Sequence, residues 1–180
     1  MNINERVAFA SKHFKVESVG IEIGVWKGDF SAQILSELKP KDLTLVDPWK
    51  YVPEYEFAWY GKGRVQSQSD MDEIYKFVTK RFELQISHGV VNVHRGIASE
   101  LRNVCADWIY IDGDHTFDGV KLDIQASRDL LKKEGVLIFD DFGLSGWWND
   151  GVTRAINEFV SLGLLRIIDV HKSQCACVFI

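Results

Sequence analysis

Five short apolar runs, each stopped by a turn or an acid, limit this chain to very few folds. Val19-Gly20-Ile21-Glu22-Ile23 runs into a glycine turn, Leu43-Thr44-Leu45-Val46 ends at Asp47-Pro48, and Val90-Val91-Asn92-Val93 ends near Gly96. Trp108-Ile109-Tyr110-Ile111 ends at Asp112, and Val136-Leu137-Ile138-Phe139 ends at Asp140-Asp141. Unbroken apolar and β-branched runs mark strands covered on both faces. Between them lie helical spacings such as Phe30, Ile34, Leu35 and Leu38. Strands alternating with helices predict an α/β fold: a Rossmann-like, doubly wound and mostly parallel sheet. Two last runs, Leu164 to Ile168 and Cys175 to Ile180, are expected to form a hairpin about His171-Lys172-Ser173. That makes a seven-stranded sheet with an antiparallel C-terminal strand. With 180 residues, no internal repeat and only three prolines, residues 1–180 read as one domain.

In such sheets, ligands bind beyond the carboxyl ends of the strands. The residues there are Glu22-Ile23-Gly24, Asp47, Gly96-Ile97-Ala98-Ser99, Asp112-Gly113-Asp114-His115 and Asp140-Asp141. Four of these five segments carry acid. The formal net charge of −5 argues against a nucleic-acid backbone as partner. No apolar run reaches the roughly 20 residues that span a bilayer, and the first residues are too charged for a secretory signal. Three cysteines, with only Cys175 and Cys177 close in sequence, make no disulfide framework. Reduced thiols and a cytoplasmic location are therefore expected.

The first turn, Glu22-Ile23-Gly24-Val25-Trp26-Lys27-Gly28, offers two glycines for a tight bend and close approach of a ligand. The dinucleotide fingerprint is broken, because Trp26 stands where its second glycine belongs. A pyrophosphate finds no cradle there, and Glu22 would repel it. The pattern suits a nucleoside without phosphates that bears an ammonium or sulfonium group. Asp47 closes the second strand, where an acid commonly holds ribose hydroxyls.

These residues resemble the class I S-adenosylmethionine-dependent methyltransferases over about residues 19–142. The resemblance implies S-adenosylmethionine as cofactor, with Glu22, Gly24 and Gly28 at its methionine end. It puts Asp47 on the ribose and Ile97, Ala98 and Ser99 on the adenine side. Val25, Trp26, Ser31, Pro48, Trp49 and Asp112 complete the expected cofactor-binding set.

Asp112, Asp140 and Asp141 end two consecutive strands, so they are expected to be neighbours in space. Converging carboxylates repel one another, and a hard divalent cation such as Mg²⁺ would relieve that. Ile111-Asp112-Gly113-Asp114-His115, Lys132-Lys133-Glu134-Gly135 and Phe139-Asp140-Asp141-Phe142 resemble the metal-dependent O-methyltransferases of the macrocin and novobiocin sugar type. More distant relatives of that type are the catechol O-methyltransferases, which carry Asp-Asn where this chain has Asp140-Asp141. By this resemblance Asp112, Asp140 and Asp141 hold Mg²⁺, and Asp114 or His115 is the general base. The expected reaction is transfer of a methyl group to a hydroxyl of a small molecule, a sugar or a phenol. A nicotinamide-dependent oxidoreductase is disfavoured by the missing phosphate fingerprint. A non-catalytic nucleoside-binding module has no need of so many acids.

Six aromatics fall between Trp49 and Tyr60. With neither strand nor helix period, the stretch at about 48–69 reads as a lid over the ligand edge. Trp147-Trp148 raises the same expectation on the other side of the acids. Residues 70–87 read as one amphipathic helix burying Met71, Ile74, Tyr75, Val78, Phe82 and Ile86. The sugar-type enzymes carry more N-terminal material than precedes the first strand here. Specificity is therefore expected from the aromatic insertion, the Trp147-Trp148 loop or a second subunit in a homodimer.

Overall fold

A computed structural model describes residues 2–180. Seven strands form one sheet in the order β3-β2-β1-β4-β5-β7-β6. They are β1 (Val19–Ile23), β2 (Asp42–Asp47), β3 (Val91–Arg95), β4 (Ala106–Ile111), β5 (Leu131–Phe139), β6 (Leu165–His171) and β7 (Gln174–Phe179). β1 pairs in parallel with β2 and β4, β2 with β3, and β4 with β5. β7 inserts antiparallel between β5 and β6, so the closing hairpin reaches the sheet through its second strand. The expected doubly wound sheet with one antiparallel C-terminal strand is the observed one. Because β7 is an inner strand, Cys175 and Cys177 are wholly buried, their sulfurs 3.7 Å apart.

Strand alternation divides the core into two layers. In β4, Trp108 and Tyr110 face one layer, while Ile109 and Ile111 face the other. The first layer takes helices α1 (Ile3–His13), α2 (Asp29–Glu37) and α3 (Gln68–Arg81). The second takes α5 (Phe117–Leu130) and α6 (Gly151–Ser161). In β1, Ile21 and Ile23 face the α5–α6 layer. The alternate positions, Gly20 and Glu22, face the other side. A side chain at Gly20 would run into the Trp108 indole, which stacks on Phe14 at 4.2 Å.

The expected helix over 70–87 is two helices. α3 stops at Arg81, Phe82 leaves helical geometry at φ −106° and ψ 16°, and α4 (Glu83–Ser87) follows. The apolar spacing runs through the break, but the Phe82 ring turns in beneath Gly28, and Ile86 is half-exposed. α1 was not foreseen as a helix. It opens on a capping box in which the Asn2 side chain accepts from the Glu5 N–H and the Glu5 carboxylate accepts from that of Asn2. Among the described residues, no helix is long and apolar enough to cross a membrane.

Candidate active site

A cavity of about 850 Å³ opens at the carboxyl ends of β1, β2, β4 and β5. Glu22 lies in its wall although only 1% exposed, because the β1 register turns it toward α2. Its Oε2 has no hydrogen-bond partner among the described residues. Burial pushes its carboxyl up to about 8, partly offset by the Ser31 hydroxyl and the Arg6 guanidinium nearby. An orphaned buried carboxylate oxygen is costly unless a donor or cation meets it. The site thus fits the ammonium-bearing end of a nucleoside cofactor.

The turn beside it is built around Asp47. Its Oδ2 accepts the backbone N–H groups of Val25 (3.0 Å) and Trp26 (2.9 Å), and its Oδ1 that of Trp49 (2.7 Å). Asp47 therefore shapes the glycine turn as well as lining the cavity, and Oδ1 keeps capacity for one further donor. Burial raises its carboxyl, against those three backbone donors. Gly24 sits at φ +86°, and a side chain there would strike the Asp112 carbonyl.

Of the expected cofactor residues, Glu22, Gly24, Val25, Trp26, Asp47, Pro48, Ile97, Ala98, Ser99 and Asp112 line the cavity. Gly28, Ser31 and Trp49 do not. Gly28 serves the turn at φ +74°, pressed against Phe82. The Ser31 hydroxyl is buried behind the wall. Trp49 is wholly buried, its indole N–H donating to the Trp26 carbonyl at 2.9 Å, so it anchors the aromatic segment instead of covering a ligand.

Asp112, Asp114, His115, Asp140 and Asp141 all reach the cavity, yet two of the three expected metal ligands, Asp112 and Asp140, close around a cation of the chain itself. Arg6, from α1, bonds Asp112 Oδ2 through Nη2, and the same nitrogen lies 3.0 Å from Asp140 Oδ2. Asp140 Oδ1 accepts from Gln174 Nε2 and from the Asp141 N–H at 3.0 Å. Among the described residues, no group of three or more His, Cys, Asp or Glu is arranged to hold a metal ion. The acids expected to hold Mg²⁺ do not fit it, because Arg6 stands between Asp112 and Asp140, and Asp141 faces His115 instead. Arg6 and His115 hold the Asp112 carboxyl below its ordinary range despite burial. Burial and Asp112 push Asp140 up to about 7.

The two candidate bases differ. Asp114 Oδ1 accepts from the Tyr60 hydroxyl at 3.2 Å and from the Thr116 N–H at 2.9 Å, next to the α5 N-cap. His115 Nε2 is buried and makes no hydrogen bond among the described residues, although Asp112 Oδ1 lies at 3.2 Å and Asp141 Oδ2 at 3.4 Å. Burial pulls the imidazole down, but Asp112, Asp141 and Asp140 outweigh it and hold His115 above its ordinary value.

Aromatic rings form the remaining wall. The Trp147 ring lies 5.0 Å from Tyr55 and 6.0 Å from Tyr60, and Trp148 lies 5.0 Å from His115. The Trp148 indole N–H is buried without a partner among the described residues. The segment carrying Tyr55 and Tyr60 is irregular apart from a single wide helical turn at Trp59–Gly63. Arg6 and Asp123 are among the wall residues that sequence reasoning missed. Arg6 shares the inward face of α1 with Ile3 and Ala10, a signal that places it but not its partners. Asp123 lies on α5, where burial and then Asp114 push its carboxyl up to about 7.

No curated protein is significantly similar to the chain in sequence. Among solved structures, the chain is similar in fold to CalS11, a TDP-rhamnose 3'-O-methyltransferase of calicheamicin biosynthesis, with a TM-score of 0.61, 17% identity and coverage of 97% of this chain and 77% of that one. The O-methyltransferase TomG of Streptomyces achromogenes, solved with S-adenosylmethionine, gives 0.60 and 13%, covering 91% and 74%. The tRNA methyltransferase TrmK of B. subtilis gives 0.61 and 12%, covering 96% and 63%. The family model described as a methyltransferase domain, methyltransferase family 24, matches residues 21–142. That match spans more than half of the chain, which therefore belongs to this family and is a class I S-adenosylmethionine-dependent methyltransferase.

Proposed function

We propose that the protein methylates a hydroxyl of a small ring-shaped acceptor, a sugar or a phenol, with His115 as general base. The observation that carries this reading is His115 Nε2, buried in the cavity wall, without a hydrogen bond and flanked by Asp112 and Asp141. A base must have its protonated form stabilised, and Asp112 and Asp141 do that for His115 from within the cavity wall. Asp114 is already engaged by Tyr60 and Thr116.

When bound, S-adenosylmethionine supplies a methyl carbon made electrophilic by its sulfonium. Glu22 offers its unpaired oxygen to the cofactor's ammonium, and Asp47 Oδ1 offers its remaining capacity to a ribose hydroxyl. Tyr55, Tyr60, Trp147 and Trp148 give flat apolar faces on which a sugar or phenol ring stacks. His115 Nε2 would accept the hydroxyl proton, and the bound cofactor would supply the methyl group to that oxygen, its sulfonium becoming a neutral thioether. Asp112 and Asp141 then face an imidazolium. Holding oxygen and methyl carbon in near-attack geometry is the larger contribution of the walls.

Eight acidic residues against three basic ones line the cavity, which supports a small uncharged acceptor over an RNA backbone. The test is a panel of sugars, phenols, amines and RNA assayed by release of S-adenosylhomocysteine. Turnover of a hydroxylated ring compound is expected. Turnover of RNA or amines alone would contradict the reading.

A further inference from the structure

We propose that Arg6 takes the place of a divalent metal in this site, so that methyl transfer here proceeds with a resident guanidinium and no metal ion. The inference rests on the methyltransferase reading for its consequence, but its geometry stands apart from it. Arg6 Nε donates to the Tyr110 hydroxyl at 3.0 Å, and that hydroxyl donates to Gln174 Oε1 at 2.8 Å. Gln174 Nε2 donates to Asp140 Oδ1, and Asp140 Oδ2 returns to Arg6 Nη2 at 3.0 Å. The four side chains close a ring of hydrogen bonds, and Tyr110 and Gln174 are wholly buried within it. The guanidinium carbon lies 4.6 Å from the centre of the Phe30 ring and 5.4 Å from that of Tyr110, so aromatic faces complete its surroundings.

Such a site is built for a fork of N–H donors. A spherical ion has no donor for the Tyr110 hydroxyl, and it needs bare carboxylate oxygens at about 2.0–2.6 Å. Here Asp112 Oδ2 and both oxygens of Asp140 already accept hydrogen bonds or an ion pair from the chain. An arginine stays protonated at any working pH. The charge that keeps Asp112 and Asp140 together is therefore independent of metal supply.

The decisive experiment titrates the purified full chain with Mn²⁺ alone, followed by the loss of its free-ion electron paramagnetic resonance signal. The wild type is expected to bind none with a dissociation constant below about 1 mM. Arg6→Met, which leaves Asp112, Asp140 and Asp141 without that cation, is expected to bind Mn²⁺ at least about tenfold more tightly, a difference of about 1.4 kcal/mol. Where Arg6→Met does not fold, Arg6→Gln is read in the same way. Submillimolar binding by the wild type overturns the proposal, as does a folded variant that gains no affinity. Once an acceptor is known, turnover unchanged in excess chelator agrees with it, and turnover restored only by Mg²⁺ contradicts it. Calorimetry with S-adenosylhomocysteine separates this failure from that of the methyltransferase reading, because cofactor binding does not depend on the Mn²⁺ result.

Discussion

The Tyr60 hydroxyl donates to Asp114 Oδ1 at 3.2 Å, tying the aromatic segment to the loop that carries His115. Tyr60 is also within 6.0 Å of Tyr55 and Trp147, so this bond fixes one corner of the aromatic wall. Tyr60→Phe is expected to raise the acceptor KM several-fold while leaving S-adenosylhomocysteine affinity unchanged. A neutral hydrogen bond is worth about 0.5–1.5 kcal/mol, which sets that scale. Steady-state kinetics against calorimetry checks it, and a matching loss of cofactor affinity would place Tyr60 at the cofactor instead.

Removal of the base gives a larger effect. His115→Ala is expected to lower kcat by about 10²–10⁴-fold with the fold intact, whereas Asp114→Asn retains most of kcat. Because Asp112, Asp141 and Asp140 hold the imidazole above its ordinary value, the neutral base forms only as pH rises past about 6.5. Activity should therefore climb through an acid limb above that pH, and His115→Ala should lose the limb. An unchanged limb in the variant would remove His115 from the role.

Glu22 links stability to cofactor binding. Burial lifts its carboxyl from 4.5 to about 8, so its contribution to stability is fully present below the lower value and lost as pH rises toward the upper one. Glu22→Gln should gain thermal stability relative to wild type between pH 5 and 8 (bounds set approximately by that shift). Melting curves across this range test the sign, and parallel curves for the two proteins would contradict it.

Gly24 is held by backbone geometry. At φ +86°, with the Asp112 carbonyl where a side chain would go, Gly24→Ala is expected to cost about 2–4 kcal/mol and to abolish cofactor binding. Denaturant melts measure the first effect and calorimetry the second.

The parallel strands were legible because burial on both faces demands unbroken apolar runs, and the acids stood out by ending them. What the runs could not reveal was three-dimensional company. Arg6 precedes every motif and reads as a surface charge until α1 docks beside β4 and turns it onto Asp112. Without that contact, three converging carboxylates call for a metal, and the inference from charge alone stops there. Trp49 has the same difficulty in reverse: an aromatic beside Asp47 looks like a cofactor platform, yet its indole packs inward because the Trp26 carbonyl offers a partner. Phe82 kept the helical spacing of its neighbours, yet the helix breaks there and its ring packs against Gly28, a contact no spacing reveals.

The most direct test of the account is calorimetric titration of S-adenosylhomocysteine into wild type, Glu22→Gln and His115→Ala at neutral pH. Wild type and His115→Ala are expected to bind alike, with dissociation constants of about 1–100 μM, and Glu22→Gln at least about tenfold more weakly. Equal binding by Glu22→Gln, or no binding by the wild type, would contradict the placement of the cofactor in this cavity.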